Sequence, residues 1–397
     1  MWQKTKNVYH LLIALLANTW FSFPGKKLTV IGITGTDGKT TTVNLIYHIL
    51  HEAGLPVSVI STVGATIHGK TLPLGFHVTT PSSIKLIKFL RQAVNSLHAE
   101  KQNYLVLEVT SHSLDQHRVW GIPFTIGGIT NVTHEHLDYH KTYENYVKTK
   151  AKLLQRAKTA IVNVDDKSFA LLKPLLANKK YITYGIKNKA DITPKTFSFT
   201  SSLPGEYNKY NILLAVAVCK QLGIDDAKIK NAIATYIPPL GRTEIVYNKD
   251  FTVMIDFAHT PNAFSQLLPA IKQQVKGRLI HVFGSAGLRD IQKRPLMGEA
   301  SAKYADIIVL TAEDPRSENV VKIMSQIEKG IDENRKKDIQ IIKVPRREKA
   351  IDAAIALAKK GDFVLLTGKA HEKSMNYGHG EEPWSEHEAV KRALENK

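Results

Sequence analysis

Apolar runs too short to be helices alternate along this chain with longer segments whose apolar residues recur every three or four positions. The short runs read as buried strands and the longer segments as helices, so the alternation predicts α/β layers on mostly parallel sheet. Strands are expected at 28–33, 57–60, 104–109, 125–130, 160–164, 252–255, 279–283, 306–310, 340–344 and 362–366. Helical spacing covers 43–50 and 145–154, and 181–203 reads as small β elements. A helical pattern breaks at Ile237-Pro238-Pro239-Leu240-Gly241-Arg242 and a new strand series follows, which marks a domain boundary. The expected organisation is a short helical segment over 1–25, a domain over 26–238 and a second over 239–397, without internal repeats or low-complexity stretches.

Many expected strands finish at a polar cluster. These are Asp37-Gly38-Lys39, Glu108-Val-Thr-Ser-His112, Asn131-Val-Thr-His134, Asp256-Phe-Ala-His259, Gly284-Ser-Ala-Gly287, Thr311-Ala-Glu-Asp314 and Gly368-Lys-Ala-His-Glu372. Open α/β sheets bind ligands beyond the carboxyl ends of their strands, so the pattern leads us to expect two sheets facing a shared cleft.

The sharpest cluster is Gly35-Thr36-Asp37-Gly38-Lys39-Thr40-Thr41, set between a strand and a helix. Glycines there let backbone N–H groups turn inward around phosphates. The helix N-terminus adds positive potential, Lys39 reaches the terminal phosphates and Thr40 offers a hydroxyl to magnesium. The spacing departs from the strict phosphate-loop form, because Ile33 stands where its first glycine would be. The bland alternative is a glycine turn without function. Glu108, at the end of a buried strand, could complete a magnesium shell, or be a charge leaving the sheet.

His134, His136 and His140 invite a zinc reading, but no H-E-x-x-H pattern on a helix supports it. Lys148 and Lys152 share a helix face from which Lys150 turns away, and spacing alone gives Lys150 no special role. Arg289-Asp290, Lys293-Arg294 and Glu313-Asp314-Pro315-Arg316 mix charges beyond strand ends. This suits a zwitterionic ligand, with arginine gripping carboxylate and acidic groups gripping ammonium; surface ion pairs are the plainer reading.

The 397 residues carry a net charge of +18, yet the lysines are dispersed, with clusters no longer than Lys26-Lys27, Lys179-Lys180 and Arg335-Lys336-Lys337. No aromatic-basic module accompanies them, so no nucleic-acid partner is expected, and a polyphosphate or polycarboxylate substrate accounts for part of the excess. One cysteine, Cys219, excludes a disulfide framework and a cysteine-rich zinc site and fits a reducing, cytoplasmic setting. Residues 11–23 are apolar and flanked by Lys4, Lys6, Lys26 and Lys27, but too few to span a bilayer. They are expected to form a helix packed on the next domain. The sharper reading is membrane-surface contact through 8–23, with Trp2, Trp20 and the lysines at headgroup level.

Together the motifs resemble the Mur ligases, and within them the MurE type. The resemblance runs from about Pro24 to the C-terminus. It is carried by Thr34-Gly-Thr-Asp-Gly-Lys-Thr-Thr41, Thr79-Thr80-Pro81, Glu108 to Arg118, His136-Leu-Asp-Tyr-His140, Tyr146-x-x-x-Lys150, Leu203-Pro-Gly-Glu-Tyr-Asn208-x-x-Asn211, Gly241-Arg242-Thr-Glu244, Asp256-Phe-Ala-His-Thr-Pro261, Gly284 to Asp290, Lys293-Arg-Pro295 and Gly368 to Glu372. It implies a P-loop central domain and a C-terminal Rossmann-like α/β domain. It also implies ATP-dependent amide ligation through an acyl phosphate, on a muramoyl-peptide substrate and an amino acid. Lys39 and its loop would bind phosphates, Thr40 and Glu108 one magnesium, and His136 with a carbamylated Lys150 a second. Asn208, Asn211, Arg242 and Asp256 would bind adenosine. Thr79, Thr80, Ser111, Gln116 and Arg118 would meet the muramoyl peptide. Arg289, Asp314, Arg316, Gly368 and Glu372 would hold the amino acid, most closely in the meso-diaminopimelate pattern.

Departures from the family carry expectations of their own. Asp314 replaces an amide and would favour an ammonium over a nearby carboxylate. Glu135 stands for aspartate and Ala370 for glycine. Only about two dozen residues precede the P-loop strand, too few for a UDP-binding domain. UDP recognition is then reduced, supplied by another protein, or unnecessary because the substrate is lipid-linked. A MurT-like ligase also lacks that domain but carries four zinc-binding cysteines. Folylpolyglutamate synthetases fit the HLDYH and DPR signatures less well, and an inactive nucleotide-binding partner would not keep Lys39, Glu108, His136 and Lys150. A monomer whose C-terminal domain rotates to close the cleft is expected.

Overall fold

Every run expected to be a strand is one, with ends displaced by no more than a residue. The computed structural model describes residues 2–72, 74, 79–95, 102–133, 135–333 and 338–397; the side chains of Trp2, Lys4 and Asp138 lie outside that description, as do His134 and the Arg335-Lys336-Lys337 cluster. The chain divides into two units. The first comprises Met1–Thr133, Tyr139–Ser202 and Tyr207–Ile237, and the second His134–Asp138, Leu203–Glu206 and Pro238–Lys397.

The first unit contains strands β1 (Thr29–Thr34), β2 (Val57–Ser61), β3 (Gly64–Ile67), β4 (Lys70–Leu72), β5 (Tyr104–Glu108), β6 (Phe124–Ile129), β7 (Thr159–Asn163) and β8 (Tyr181–Tyr184). They form one sheet in the order β4-β3-β2-β5-β1-β6-β7-β8, parallel except where β3 pairs with β2 and β4. Helices α1 (Trp2–Trp20), α2 (Lys39–Glu52), α3 (Ser83–Val94), α4 (Ser111–Asp115), α5 (Leu137–His140), α6 (Tyr143–Arg156), α7 (Phe169–Leu175), α8 (Glu206–Gln221) and α9 (Asp226–Thr235) accompany it. The chain leaves β1 for β2 on one side and later places β6 on the other. That reversal puts the end of β1 at the switch point where such sheets bind ligands.

Glycines on β6 allow close packing on both faces. A Cβ at Gly127 would press on Ala157 and Leu153, and one at Gly128 on Ile33 and Leu214. Thus α6 and α8 come close to the sheet. Thr142 starts α6 with its hydroxyl accepting from the Asn145 N–H at 3.2 Å. The 181–203 segment differs from expectation. It yields the strand β8 and a lone bridge from Tyr184 to Ile192. The rest is fixed by side chains, with Asp191 accepting from Thr183 N–H at 2.8 Å, so local polar turns replace ladder pairing. The short β3 and β4 lie at a sheet edge and lack an apolar run long enough to read.

In the second unit, β9 (Glu244–Asn248), β10 (Thr252–Asp256), β11 (Leu279–Phe283), β12 (Ile307–Leu310), β13 (Gln340–Lys343) and β14 (Phe363–Thr367) pair in the order β13-β12-β11-β14-β10-β9, with only β9 antiparallel. Strands β15 (Ser374–Asn376) and β16 (Glu381–Pro383) form a small ribbon. Helices α10 (Pro261–Lys272), α11 (Lys293–Ala302), α12 (Val320–Glu333), α13 (Arg347–Leu357) and α14 (Glu386–Glu395) complete it. Arg347, fully buried, donates to Glu386 (Nε to Oε2, 2.9 Å), to the Thr367 carbonyl at 2.7 Å and to the Ala312 carbonyl at 3.3 Å. One guanidinium therefore fixes the carboxyl ends of β12 and β14 together.

Candidate active site

In the first unit, β1 ends at Thr34 and α2 begins at Lys39, so Gly35 to Gly38 form the turn between them. Gly38 has φ +80°, and a Cβ there would strike the Asn211 amide. Only glycine lets the loop lie against α8. The loop is pinned to the end of β6: Thr36 N–H donates to the Asn131 carbonyl at 2.8 Å, Asp37 N–H to Asn131 Oδ1 at 3.0 Å, and Thr130 Oγ1 to the Asp37 carbonyl at 2.7 Å. Lys39 Nζ donates to the Thr36 carbonyl at 2.7 Å. Tyr236 donates its hydroxyl to the Thr41 carbonyl at 3.3 Å. Asn211 Nδ2 donates to Asn208 Oδ1 at 3.0 Å, which places both asparagines behind the loop.

Glu108 is buried at the end of β5, the neighbour of β1. Its oxygens accept from Thr40 Oγ1 at 3.1 and 3.2 Å, from Thr62 N–H at 2.9 Å and from Thr62 Oγ1 at 3.0 Å. All its donors are neutral, and among the described residues no lysine or arginine pairs with it. A buried carboxylate beside a phosphate loop, without a cation of its own, fits a divalent ion carried in on phosphate oxygens. Among the described residues no three His, Cys, Asp or Glu converge as a metal cage.

The other expected residues of this unit surround the same edge. Thr79 Oγ1 lies 3.1 Å from Thr62 Oγ1, Thr80 Oγ1 donates to the Glu108 carbonyl at 3.0 Å, and Arg118 donates to the Thr80 carbonyl at 3.1 Å. Ser111 Oγ lies 3.0 Å from His140 Nε2. Burial, with His112 and Lys150 nearby, lowers the His140 pKa to about 4, so this imidazole is neutral at physiological pH. Gln116 Oε1 is buried without a hydrogen-bond partner among the described residues. Lys150, buried at 1% exposure, donates from Nζ to the Gly35 carbonyl at 2.6 Å and lies over the Tyr146 ring at 4.4 Å. Helix α6 thus delivers to the glycine loop the one lysine of its series that spacing gave no role. Lys152 instead pairs with Asp115 at 3.2 Å.

The second unit gathers its own set at the carboxyl edge of its sheet. Asp256 closes β10; it accepts from Thr243 N–H and from Ala258 N–H, each at 2.7 Å. Burial raises its pKa and the Arg242 charge opposes that rise. Arg242 stacks on Phe257 at 4.6 Å. The Gly284–Gly287 turn is stitched to the loop after β12 by Gly287 N–H on the Asp314 carbonyl at 2.9 Å and by Arg316 on the Gly287 carbonyl at 2.6 Å. Arg289 is exposed beside it. Gly368 N–H donates to the Asp256 carbonyl at 3.2 Å, joining the ends of β10 and β14. His136 has φ +54° and belongs to the His134–Asp138 segment of this unit, whereas Lys150 belongs to the first.

Asp314 has an ammonium beside it, supplied by the chain itself. Its Oδ2 accepts from the fully buried Lys369 Nζ at 2.9 Å, and its Oδ1 from Asn376 N–H at 2.9 Å. Lys369 also pairs with Glu372 at 2.6 Å. Asp314 and Glu372 therefore share one ammonium, which offsets only part of their combined negative charge. Glu313 is the other surprise: burial pushes its pKa up to about 8, against the Lys293 and Arg347 charges, and its Oε2 has no hydrogen-bond partner among the described residues. Asn131, Glu313 and Lys369 lay in the polar clusters at strand ends but had no role of their own in the sequence reading, and Thr62 was missed, although it lies just beyond the end of β2.

Two family models match the chain, the Mur ligase middle domain over 33–219 and the "Mur ligase, glutamate ligase domain" over 241–370. The UDP-N-acetylmuramoyl-L-alanyl-D-glutamate–2,6-diaminopimelate ligase 1 of Clostridium acetobutylicum is 40% identical over 381 residues, covering 91% of this chain and 77% of that protein. The corresponding ligase of Aquifex aeolicus is 40% identical over 397 residues, covering 95% and 80%. A solved structure of a ligase of the same name aligns with TM-score 0.60 and 29% identity over 93% of this chain and 78% of its own. The folylpolyglutamate synthase of Mycobacterium tuberculosis complexed with ADP shares the fold, with TM-score 0.71 and 18% identity over 90% and 91%.

Proposed function

This chain belongs to the Mur ligase family, and we propose that it joins meso-diaminopimelate to the peptide carboxylate of a UDP-N-acetylmuramoyl-dipeptide-like substrate. It is an ATP-dependent acid–amino-acid ligase of the MurE type. The observation that carries the reading is the buried Glu108 facing Thr40 beside the glycine loop, an arrangement suited to a metal-bearing triphosphate.

The peptide carboxylate oxygen attacks the γ-phosphorus, forming an acyl phosphate and expelling ADP. The amine of the amino acid then attacks the acyl carbon, loses a proton, and inorganic phosphate leaves as the amide forms. Loop N–H groups and Lys39 take up the charge on the phosphoryl oxygens. Bound magnesium, held through Thr40 and Glu108 and at a second position through His136, would neutralise triphosphate charge. Lys150 is assigned a carbamate, which would turn its cation into an anion. Asn208, Asn211, Arg242 and Asp256 are assigned to adenosine, with Asp256 on the ribose. Thr79, Thr80, Ser111, Gln116 and Arg118 are assigned to the muramoyl peptide.

For the amino acid, Arg289 and Arg316 would grip carboxylate and Glu372 ammonium, with Gly368 leaving room. The choice of diaminopimelate is supported by the 40% identical relatives named for that amino acid. The test is phosphate release from ATP with a panel of amino acids and muramoyl dipeptide, with and without the UDP group. Release should require both substrates and be fastest with diaminopimelate. Equal rates with lysine would remove the amino-acid assignment; release independent of both substrates would remove the ligase assignment.

A further inference from the structure

Helix α1 is built inside out. Its inward positions are small, Ala14 and Ala17, with Asn18 donating to the Ala14 and Trp120 carbonyls at 2.9 Å. Its outward positions are large and apolar: Val8, Tyr9, Leu12, Leu15, Leu16 and Trp20 are between 40% and 84% exposed. At 100° per residue these six occupy about 140° of the circumference. A helix that only completes a soluble fold turns such a stripe inward, and a contiguous exposed one marks a binding surface.

Charge around the stripe identifies what it meets. Helix α1 packs on α3, and α3 on the short 3-10 turn Pro24–Lys27. These three elements contain no Asp or Glu. Lys6, Lys26, Lys27, Lys88 and Arg91 are exposed on them. Among the described residues, the acidic group that hydrogen-bonds to α1 is Asp115, and it is taken up by Asn7 at 3.0 Å, Tyr139 at 2.9 Å and Lys152 at 3.2 Å. Two copies of this face would set cationic rims against each other. No described helix is long and apolar enough to cross a membrane.

We propose that this face of α1 docks on an anionic lipid surface. The helix would lie in the interfacial plane, with Leu12, Leu16 and Trp20 at the acyl boundary and the rim cations among lipid phosphates. Such docking would hold the ligase at a membrane face.

The test is co-sedimentation of the full chain with vesicles of phosphatidylcholine alone or mixed with phosphatidylglycerol. We expect binding to the anionic vesicles, weakened by added salt. A Leu12→Glu, Leu16→Glu double variant should lose it by roughly tenfold or more, and Lys26→Glu with Lys27→Glu should lose the salt-sensitive part. Circular dichroism and ATP turnover, unchanged in both variants, would establish intact folding. Absent or equal sedimentation with the two vesicle types would overturn the proposal. So would a dimer in light scattering that the leucine variant converts to a monomer while vesicle binding is missing.

Discussion

Glu313 makes a quantitative test of how the second unit is assembled. Its carboxyl is packed against Gly368, whose φ of +103° and missing side chain make room for it. Burial outweighs the nearby Lys293 and Arg347 charges and lifts its pKa from 4.5 to about 8. The folded protein therefore keeps a proton at neutral pH that the unfolded chain releases. Stability from this group is fully present below pH 4.5 and declines as pH rises through about 8. At 1.36 kcal/mol per pH unit, the interval sets a ceiling of about 5 kcal/mol. Glu313→Gln keeps the shape and removes the titration. Urea unfolding of both proteins from pH 5 to pH 9 isolates the term as a difference. The variant should gain on the wild type by a few kcal/mol as pH rises, with most of the gain between about pH 5 and 8. A difference flat with pH would refute the reasoning, since Glu313 would then be ionised in the fold and paired.

Three further outcomes are expected. Glu108→Gln leaves the Thr62 N–H facing an amide and removes the anion; the magnesium concentration for half-maximal turnover should rise by about tenfold to a hundredfold, and an unchanged requirement would remove Glu108 from the metal. Lys150→Ala should abolish phosphate release, added bicarbonate should not restore it, and normal turnover would end the carbamate assignment. His140, depressed to about 4 from 6.5, gives stability that is present above pH 6.5 and lost as pH falls through about 4. His140→Gln should flatten that acid loss by up to about 3 kcal/mol, read as the difference between two urea series.

Ten of the sixteen described strands were legible as short apolar runs, most of them because a strand buried in a parallel sheet must be apolar along its length. The glycine turn between β1 and α2 was legible for a related reason. Gly35, Gly38 and Lys39 lie within one short stretch, so the geometry of the turn is local in sequence. Partners that fold together from afar were not legible. Spacing along α6 turned Lys150 away from its neighbours without saying what it turned toward. The fold answers with the Gly35 carbonyl, 115 positions away in sequence. In the same way Asp314 read as an unwelcome anion until the turn after β14 brought Lys369 against it, and α1 read as one apolar run until packing chose Ala14 and Ala17 for the interior and left Leu12 and Leu16 outside. Periodicity and local turn chemistry are properties of neighbouring residues, and the sequence alone determines them. The charge state and the exposure of a side chain depend on what is brought beside it across the sheet, and only the tertiary structure decides that.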